Sequence, residues 1–312
     1  MTGIAISATG LTRYFGTKPV VQQASFALPT GTVTGLLGLN GAGKSTLIKM
    51  LMGLLSPTRG TCSLLGIESQ CLTHLERARI GYTIEGHFLY RSMTVRAAEM
   101  LQSESFPNWN SGTFQAIVDR FGIKPNARIR TLSRGQRAGV SIALTLSAQP
   151  ELLILDDPAL GLDPVSRRAL NETLLAYMEE GDRTVLLSSH LLDDIERVTD
   201  RVMIMVDGCI VVNCSVNRFL ARQSTWTCEH RDLTSKLPYV PGLVFARTIG
   251  NRLTMSVVDA DEEAEAAMRR IGGSTLSRVE TAFDESVIAY LSRSRSSESF
   301  FTLAPAASIA NR

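Results

Sequence analysis

Short apolar runs alternate with helix-like segments across residues 31–212 of the chain. Each run has the length of one strand and is flanked by turn residues, which predicts a strand buried on both faces. The segments between the runs carry apolar residues at helical spacing. This rhythm is typical of a parallel β-sheet covered by helices. The predicted buried strands are 33–37, 80–84, 152–155 and 184–187.

Cap and turn residues indicate where two of the helices begin or end. A helix over 44–55 is predicted to stop before the turn formed by Ser56 and Pro57. Another helix is predicted to follow Asp163, which has the position of an N-cap, with Pro164 in the first turn. Both helices directly follow segments that carry candidate chemistry.

Two stretches of the chain differ from this alternation. Residues 88–130 contain two predicted helices and no strand, which predicts an inserted helical subdomain. From residue 217 onwards, a period-two strand pattern and two helical segments predict a small separate α/β unit over 217–292. Residues 293–312 lack periodicity, and we expect a flexible tail there.

The composition is that of an ordinary globular protein, with 44% hydrophobic and 20% charged residues in a chain of 312. The 32 basic and 30 acidic side chains leave a formal net charge of +2, too small a field to attract nucleic acid, so we expect no such partner. Five cysteines without a C-x-x-C pair favour a reducing compartment. We expect no secretory signal, because the first residues have no basic segment followed by an apolar stretch. We also expect no membrane span, because no apolar run reaches the about 20 residues that a spanning helix needs.

The strongest motif is GLNGAGKST at 38–46, which matches the G-x-x-x-x-G-K-[ST] phosphate loop and stands between a predicted strand and a predicted helix. Its glycines allow a tight turn whose N–H groups face phosphate oxygens. Lys44 would place a positive charge on the β- and γ-phosphates, and Ser45 would offer a hydroxyl to Mg²⁺. The loop therefore predicts binding of a nucleoside triphosphate with Mg²⁺, and the family resemblance described below identifies the nucleotide as ATP. The predicted nucleotide contacts in the loop are Gly38, Asn40, Gly41, Gly43, Lys44, Ser45 and Thr46.

A pair of carboxylates follows another buried strand in the segment LLILDDP at 152–158. Asp156 comes at the carboxyl end of the strand, where ligands of open α/β sheets gather. Asp156 is a candidate to hold Mg²⁺, and Asp157 is a candidate to polarise the attacking water. Alone, such a pair would indicate only a helix N-cap and a solvated neighbour. Together with a phosphate loop, it indicates hydrolysis of a nucleoside triphosphate.

The motif LSRGQ at 132–136, taken with these two segments, resembles the nucleotide-binding subunit of an ABC transporter. In that family the signature segment of one subunit closes over the ATP that the phosphate loop of another subunit holds. The resemblance implies that Ser133, Gly135 and Gln136 contact ATP across a dimer. Arg134 stands where the family commonly has glycine and adds a positive charge near that site.

Other family positions carry over one at a time. Asp163 in ALGLDP matches the aspartate that communicates between the two sites, and His190 in LLSSH matches the switch histidine that contacts the γ-phosphate. Near the N-terminus, LTRYFG resembles the segment that stacks an aromatic ring on adenine. Counting back from Gly16 favours Phe15, with Tyr14 as the second choice and a place in the core as the alternative for either ring.

Two positions depart from the family pattern. Glu85 in IGYTIE stands where a glutamine usually touches both the water on the metal and the membrane subunit. Asp157 stands where glutamate is the common general base, and its shorter side chain implies slow hydrolysis, since a general base contributes about 10²–10⁴ in rate. The resemblance thus gives Asp157, His190 and Lys44 as catalytic residues and Ser45, Asp156 and Glu85 as metal residues.

The resemblance also implies the architecture and the partners. We expect an α/β fold with a P-loop NTPase core of the ABC type, an antiparallel β subdomain and a helical subdomain, all within 1–216, followed by an accessory α/β domain. Such a subunit pairs with a second ATP-binding subunit, in a homodimer or a heterodimer. It drives a separate integral-membrane permease, here an exporter, from the cytoplasmic face of the cell membrane. The alternatives are a catalytically weak nucleotide-sensing regulatory subunit and a soluble ABC ATPase outside transport.

Overall fold

The computed structural model describes residues 3–179, 183–189, 192–229 and 237–292. His190 and the predicted tail 293–312 lie outside these residues. The strands are β1 Ile4–Phe15, β2 Lys18–Pro29, β3 Val33–Leu37, β4 Arg59–Leu64, β5 Ile67–Glu68, β6 Ile80–Thr83, β7 Leu152–Asp156, β8 Thr184–Ser189, β9 Arg201–Val206, β10 Cys209–Ser215, β11 Gln223–Glu229, β12 Leu243–Ile249, β13 Arg252–Val258 and β14 Ser277–Val279. The helices are α1 Lys44–Leu51, α2 His74–Ala78, α3 Val95–Ser103, α4 Ser111–Arg120, α5 Arg134–Ser147, α6 Pro164–Glu179, α7 Leu192–Val198, α8 Val216–Arg222, α9 Glu262–Gly272 and α10 Phe283–Ser292.

A six-stranded sheet with the order β10-β9-β3-β8-β7-β6 lies at the centre of the fold. Its strands run parallel except for β10, which returns antiparallel to β9. β3, β7 and β8 are buried at every position, which explains why apolar residues occupy both faces of each strand. The four predicted buried strands all lie in this sheet, and the predicted α/β class is confirmed. Their carboxyl ends meet at one edge, where the candidate site forms.

An antiparallel sheet with the order β2-β1-β4-β5 packs beside the central sheet. Ile6 and Leu11 of β1 are fully buried in one cluster with Leu47 and Ile48 of α1 and with Leu36 of β3. α1 therefore packs between the two sheets, and the loop that precedes α1 is held at their junction. This sheet matches the antiparallel subdomain that the family resemblance implies.

α1 ends at Leu51 rather than at residue 55 as predicted. Gly53 has φ 66°, and a Cβ at this position would lie 2.1 Å from the carbonyl oxygen of Ser69. Only glycine fits this left-handed turn against a neighbouring backbone, so the helix stops before it. The Ser-Pro pair that guided the prediction lies further along the connecting loop.

The segment between β6 and β7 forms α3, α4 and α5. The hydroxyl of Thr94 accepts from the N–H of Ala97 at 3.1 Å, and Oδ1 of Asn110 accepts from the N–H of Thr113 at 3.0 Å, so these two side chains cap α3 and α4. α4 begins at Ser111 because Asn110 is its cap. α4 packs along α5, whose first turn carries the LSRGQ motif.

The C-terminal part forms a four-stranded sheet with the order β12-β13-β11-β14. Leu253, Met255 and Val257 of β13 are fully buried in a small core with Ala264 and Met268 of α9. They lie on one face of the strand, as the period-two pattern predicts.

α10 joins the C-terminal part to the main core. Phe283, Val287 and Tyr290 are buried in the same hydrophobic cluster as residues of the central six-stranded sheet. α10 also contacts β9 and α7. The ring of Phe219 lies 5.9 Å from the rings of both Phe283 and Tyr290. In this respect the C-terminal part differs from the separate unit that the sequence predicts, because its last helix shares a hydrophobic core with the preceding unit. None of the described helices is long and apolar enough to cross a membrane.

Candidate active site

The loop between β3 and α1 forms a cradle of backbone N–H groups. Gly41 and Gly43 have φ values of 83° and 107°, and a Cβ on Gly43 would lie 2.5 Å from the carbonyl oxygen of Val20. Glycine is therefore required at 43 both for the backbone conformation and for the space. Gly43 is also the N-cap of α1, whose first turn carries no acidic side chain. The N–H groups at the start of the helix are thus available to an anion.

Lys44 is buried at the base of this cradle, with 8% of its surface exposed. Its Nζ donates to the carbonyl oxygens of Gly38 at 2.7 Å and Leu39 at 3.3 Å. Burial lowers the pKa of Lys44, against the raising effect of Asp157, Asp156 and Glu85. A poorly solvated ammonium surrounded by carboxylates gains strongly from an incoming phosphate, for which the two carbonyls are replaceable partners.

Asp156 ends β7 and is held by two hydroxyl groups. Its Oδ1 accepts from Oγ of Ser45 at 3.1 Å and from Oγ of Ser188 at 2.9 Å. Ser188 lies opposite Asp156 in the parallel register of β7 and β8, and its side chain is fully buried. The carboxylate is therefore fixed between the phosphate loop and the neighbouring strand.

Asp157 follows in a left-handed conformation, with φ 46°, and only 7% of its surface is exposed. Its N–H donates to Oγ of Ser188 at 2.9 Å, and its carbonyl oxygen accepts from the N–H of Leu160 at 3.1 Å. The turn after β7 thus sends the two adjacent carboxylates into the same cavity from different backbone positions. Aspartate adopts this conformation more readily than most side chains do.

A cavity of about 340 Å³ lies between the cradle and the two carboxylates. This volume lies within the range of small-molecule and cofactor sites. The predicted site residues that line it are Asn40, Gly41, Gly43, Lys44, Ser45, Thr46, Glu85, Asp156 and Asp157. Gly38 contributes through its carbonyl oxygen, which accepts from Lys44. The structure therefore brings together residues from three separate sequence segments, as the motifs predict.

The LSRGQ residues form a second cluster at the start of α5. Ser133 caps the helix in a capping box, in which the N–H of Gln136 donates to Oγ of Ser133 and the N–H of Ser133 donates to Oε1 of Gln136, both at 3.1 Å. A Cβ on Gly135 would lie 2.6 Å from Cβ of Ser166, so α5 and α6 meet closely here. These residues of the described chain do not line the cavity, which is consistent with a role across a dimer.

Asp163 caps α6 beside this cluster. Its carboxylate accepts from the hydroxyl of Ser166 at 2.7 Å and from the N–H groups of Ser166 and Val165 at 3.0 Å. These hydrogen bonds, that of the Ser166 hydroxyl first, hold the pKa of Asp163 below its ordinary value. The side chain of Arg134 packs over Gly161 in the same loop, where a Cβ would lie 2.2 Å from its Nη1. The fixed turn thus joins Asp163 to the start of α5.

The predicted adenine-stacking ring lies at the edge of the antiparallel sheet. Phe15 is 50% exposed at the end of β1, and the guanidinium of Arg13 lies 4.9 Å from the centre of its ring. Tyr14 is 41% exposed. Both rings are accessible for stacking, and neither has the core position considered as the alternative. His190 lies outside the described residues.

Sequence reasoning missed Ser188, Val20 and Leu160. Val20 and Leu160 line the cavity as apolar walls, and Ser188 bridges the two aspartates. A signal for Ser188 was present, because a serine at the carboxyl end of a buried apolar strand faces the same edge as Asp156. Pairing β8 with β7 in register was needed to identify it.

Comparisons with a family profile and with curated proteins point to the same family. The sequence profile described as ABC transporter matches residues 21–160. The chain is 34% identical over 215 residues to the Nod factor export ATP-binding protein I of Bradyrhizobium diazoefficiens, across 67% of this chain and 70% of that protein. It is 32% identical over 213 residues to the uncharacterized ABC transporter ATP-binding protein YcbN of Bacillus subtilis, across 68% of this chain and 69% of that protein.

Solved structures agree with the fold. One described as the ATP binding subunit of an ABC transporter has a TM-score of 0.63 and 26% identity, covering 70% of this chain and 92% of that one. Another, a dimeric ATP-binding cassette in a post-hydrolysis state bound to ADP and Pi, has a TM-score of 0.60 and covers 68% of this chain and 98% of that one. At 20% identity, the second supports the fold alone.

Proposed function

This chain belongs to the ABC transporter family as an ATP-binding subunit, and we propose that it hydrolyses Mg²⁺-ATP in the cavity between its phosphate loop and Asp157. One observation carries the proposal: Lys44, Ser45, Asp156 and Asp157 converge on a single cavity although they come from two distant segments. A buried cation, a hydroxyl and two carboxylates beside a helix N-terminus are the parts that phosphoryl transfer to water requires.

The phosphate loop binds the triphosphate in this proposal. N–H groups of the loop and of the first turn of α1 donate to the β- and γ-phosphate oxygens. Lys44 leaves the carbonyl oxygens of Gly38 and Leu39 and pairs with these phosphates, where its charge opposes the charge that develops in the transition state. Asn40 and Thr46 line the same cavity and contact the nucleotide. Phe15 stacks on the adenine from the sheet edge.

The donor set fits Mg²⁺. The hydroxyl of Ser45 and the carboxylate of Asp156 are within hydrogen-bond distance, and Glu85 faces the same cavity. The described residues hold no group of three or more His, Cys, Asp or Glu side chains placed to bind a metal. A hydroxyl with one or two carboxylates is what Mg²⁺ uses when substrate phosphates complete its shell. When bound, the ion would neutralise phosphate charge; Ser45 and Asp156 would hold it directly or through water.

Asp157 is the proposed general base. Its carboxylate lines the cavity, and its backbone is fixed by Ser188 on one side and by the turn to Leu160 on the other. It would accept a hydrogen bond from the attacking water and orient that water towards the γ-phosphate, with His190 as the second polar contact. An aspartate reaches less far than a glutamate by one methylene, so we propose that hydrolysis is slow.

We propose that two ATP-binding subunits enclose two nucleotides. Ser133, Gly135 and Gln136 would face the nucleotide of the other subunit, since in their own subunit they lie outside the cavity. Asp163 lies beside Gly135 and would link the two sites. The region over 88–130 would dock on the permease. The similarity to a Nod factor export protein supports export as the direction, and the permease places the subunit at the cytoplasmic face of the membrane.

Measurement of Mg²⁺-ATP turnover by the purified chain tests the proposal. Replacing Lys44→Ala should abolish nucleotide binding, whereas Asp157→Asn should keep binding and lower turnover by about 10²-fold or more. Asp157→Glu should raise turnover if the short side chain limits the rate. ATP binding with equal inertness of the unaltered chain and of Asp157→Asn would instead identify a binding-driven regulatory subunit. Failure to bind ATP would overturn the proposal altogether.

A further inference from the structure

A buried histidine that the proposed chemistry does not use contacts the backbone next to Asp157. His87 is 4% exposed, and its Nε2 lies 2.9 Å from the carbonyl oxygen of Pro158, the residue after Asp157. A carbonyl oxygen only accepts, so Nε2 carries the hydrogen and donates it. The other ring nitrogen, Nδ1, is buried without a hydrogen-bond partner in the part of the chain that the structure describes. The ring is therefore held by one specific hydrogen bond.

The backbone turns sharply to place this ring inside. Gly86 and His87 have φ values of 88° and 50°, and the N–H of His87 donates to the carbonyl oxygen of Ile84 at 3.3 Å. A positive φ is uncommon for any residue other than glycine, and it persists where surrounding contacts fix the backbone. The neighbours Phe88 and Tyr90 are 80% and 72% exposed. An inward histidine is thus flanked by outward aromatic rings on a short segment.

The group that His87 binds belongs to the turn that carries Asp157. Pro158 follows Asp157 directly, and the turn continues through Gly161 to Asp163. Arg134 packs over Gly161 in the same turn. Two side chains from other elements therefore hold this turn, one from the segment after β6 and one from the start of α5. Asp157 itself has φ 46°, and these contacts hold the turn on either side of it.

From this geometry we propose that His87 is a positioning residue for hydrolysis: its hydrogen bond to Pro158 fixes the turn that aims Asp157 at the attacking water. The inference rests on the proposed function and adds a residue that no motif includes.

A purely structural role makes a different prediction. If His87 only filled space, an apolar side chain of similar volume would serve as well as a hydrogen-bonding one. If it supported the whole cavity, its loss would weaken nucleotide binding as much as turnover. If His87 is a positioning residue, loss of the hydrogen-bond donor at Nε2 lowers kcat and leaves KM unchanged.

The test compares His87→Leu, which removes the donor, with His87→Gln, whose side-chain amide can donate from a similar distance. The exposed His74 supplies the matched control His74→Leu. We expect His87→Leu to lower kcat about tenfold, the effect of losing one buried hydrogen bond, with KM and ATP affinity unchanged. His87→Gln should restore most of kcat, and His74→Leu should match the unaltered chain. Equal kcat for His87→Leu and the unaltered chain, or equal losses for the Leu and Gln variants, would overturn the inference.

Hydrogen exchange provides a second readout that does not require turnover. The N–H groups of Leu160 and Leu162 are bonded within the turn, to Asp157 and Ala159. His87→Leu should speed exchange at these amides about tenfold while leaving α1 unchanged, and His87→Gln should not. Unchanged exchange in His87→Leu would overturn the inference even if the unaltered chain proved inert. Inertness of the unaltered chain, with faster exchange in His87→Leu, would count against the proposed function and leave the positioning of the turn supported.

Discussion

Ser188 offers the sharpest test of how the site is built, because one buried hydroxyl serves both aspartates. Its Oγ donates to Oδ1 of Asp156 and accepts from the N–H of Asp157, both at 2.9 Å, and the side chain is fully buried. Replacing Ser188→Ala removes both hydrogen bonds at once. It leaves a buried N–H without its partner and withdraws one of the two hydroxyl donors to Asp156.

The expected loss follows from these contacts. A hydrogen bond to a charged group contributes about 1.5–3 kcal/mol, and a buried donor left without an acceptor costs about 1–3 kcal/mol. The volume removed is a single oxygen atom, so the cavity term is small. We expect Ser188→Ala to lower the free energy of unfolding by about 3 kcal/mol. Turnover should fall with it, because the carboxylates lose their fixed orientation.

Urea denaturation followed by circular dichroism measures the change as a shift in midpoint at constant slope. Ser188→Cys keeps a heavy atom at the γ position, but its thiol is a weak donor and a weak acceptor, so it should lose at least nearly as much as Ser188→Ala. Ser56→Ala, at an exposed serine, is the control and should change stability by less than about 0.5 kcal/mol. A loss below about 0.5 kcal/mol for Ser188→Ala would refute the reasoning, since the two hydrogen bonds would then contribute nothing net.

Three further changes test other parts of the structure. Gly135→Ala brings a Cβ within 2.6 Å of Cβ of Ser166. Separation of α5 from α6 should lower the free energy of unfolding, followed by a thermal melt, by about 1–3 kcal/mol. It should also abolish ATP-dependent dimerisation in gel filtration, whereas ATP binding to the single subunit should persist. Cys71 is exposed, whereas burial raises the pKa of the other four cysteines, so Cys71 should react fastest with a thiol reagent. Cys71→Ser should remove this fast phase of the reaction. Tyr290→Ala should lower the free energy of unfolding by about 3 kcal/mol, because the ring is buried against Phe219; a melt unchanged from the parent would show that α10 does not support the main core.

The sequence predicted the parallel sheet and the residues that meet at its edge. β3, β7 and β8 could be predicted because strands buried on both faces carry apolar residues at adjacent positions. Lys44, Asp156 and Asp157 were expected together because a phosphate loop and a strand-end carboxylate share the same edge of such a sheet. The roles of these residues in catalysis stay predictions, as does that of His190.

Other features depend on pairings between distant elements and could not be read locally. Ser188 gains its importance only from the register of β8 against β7. The end of α1 depends on Gly53 meeting the backbone of Ser69, which no local pattern reveals. Likewise, α10 has the pattern of an ordinary amphipathic helix, and nothing in that pattern says that it packs on β9 and α7 as well as on β12 of its own sheet.

The shared core of α10 has a consequence for how the chain is made. During synthesis, β9 and α7 leave the ribosome before α10, and domains tend to fold in that order. Until α10 is translated, the apolar surface that receives Phe283, Val287 and Tyr290 stays open to solvent and to other nascent chains. Premature termination within the C-terminal part would therefore release a chain that contains every nucleotide motif but exposes this apolar surface. Such a chain would be a substrate for chaperones and proteases.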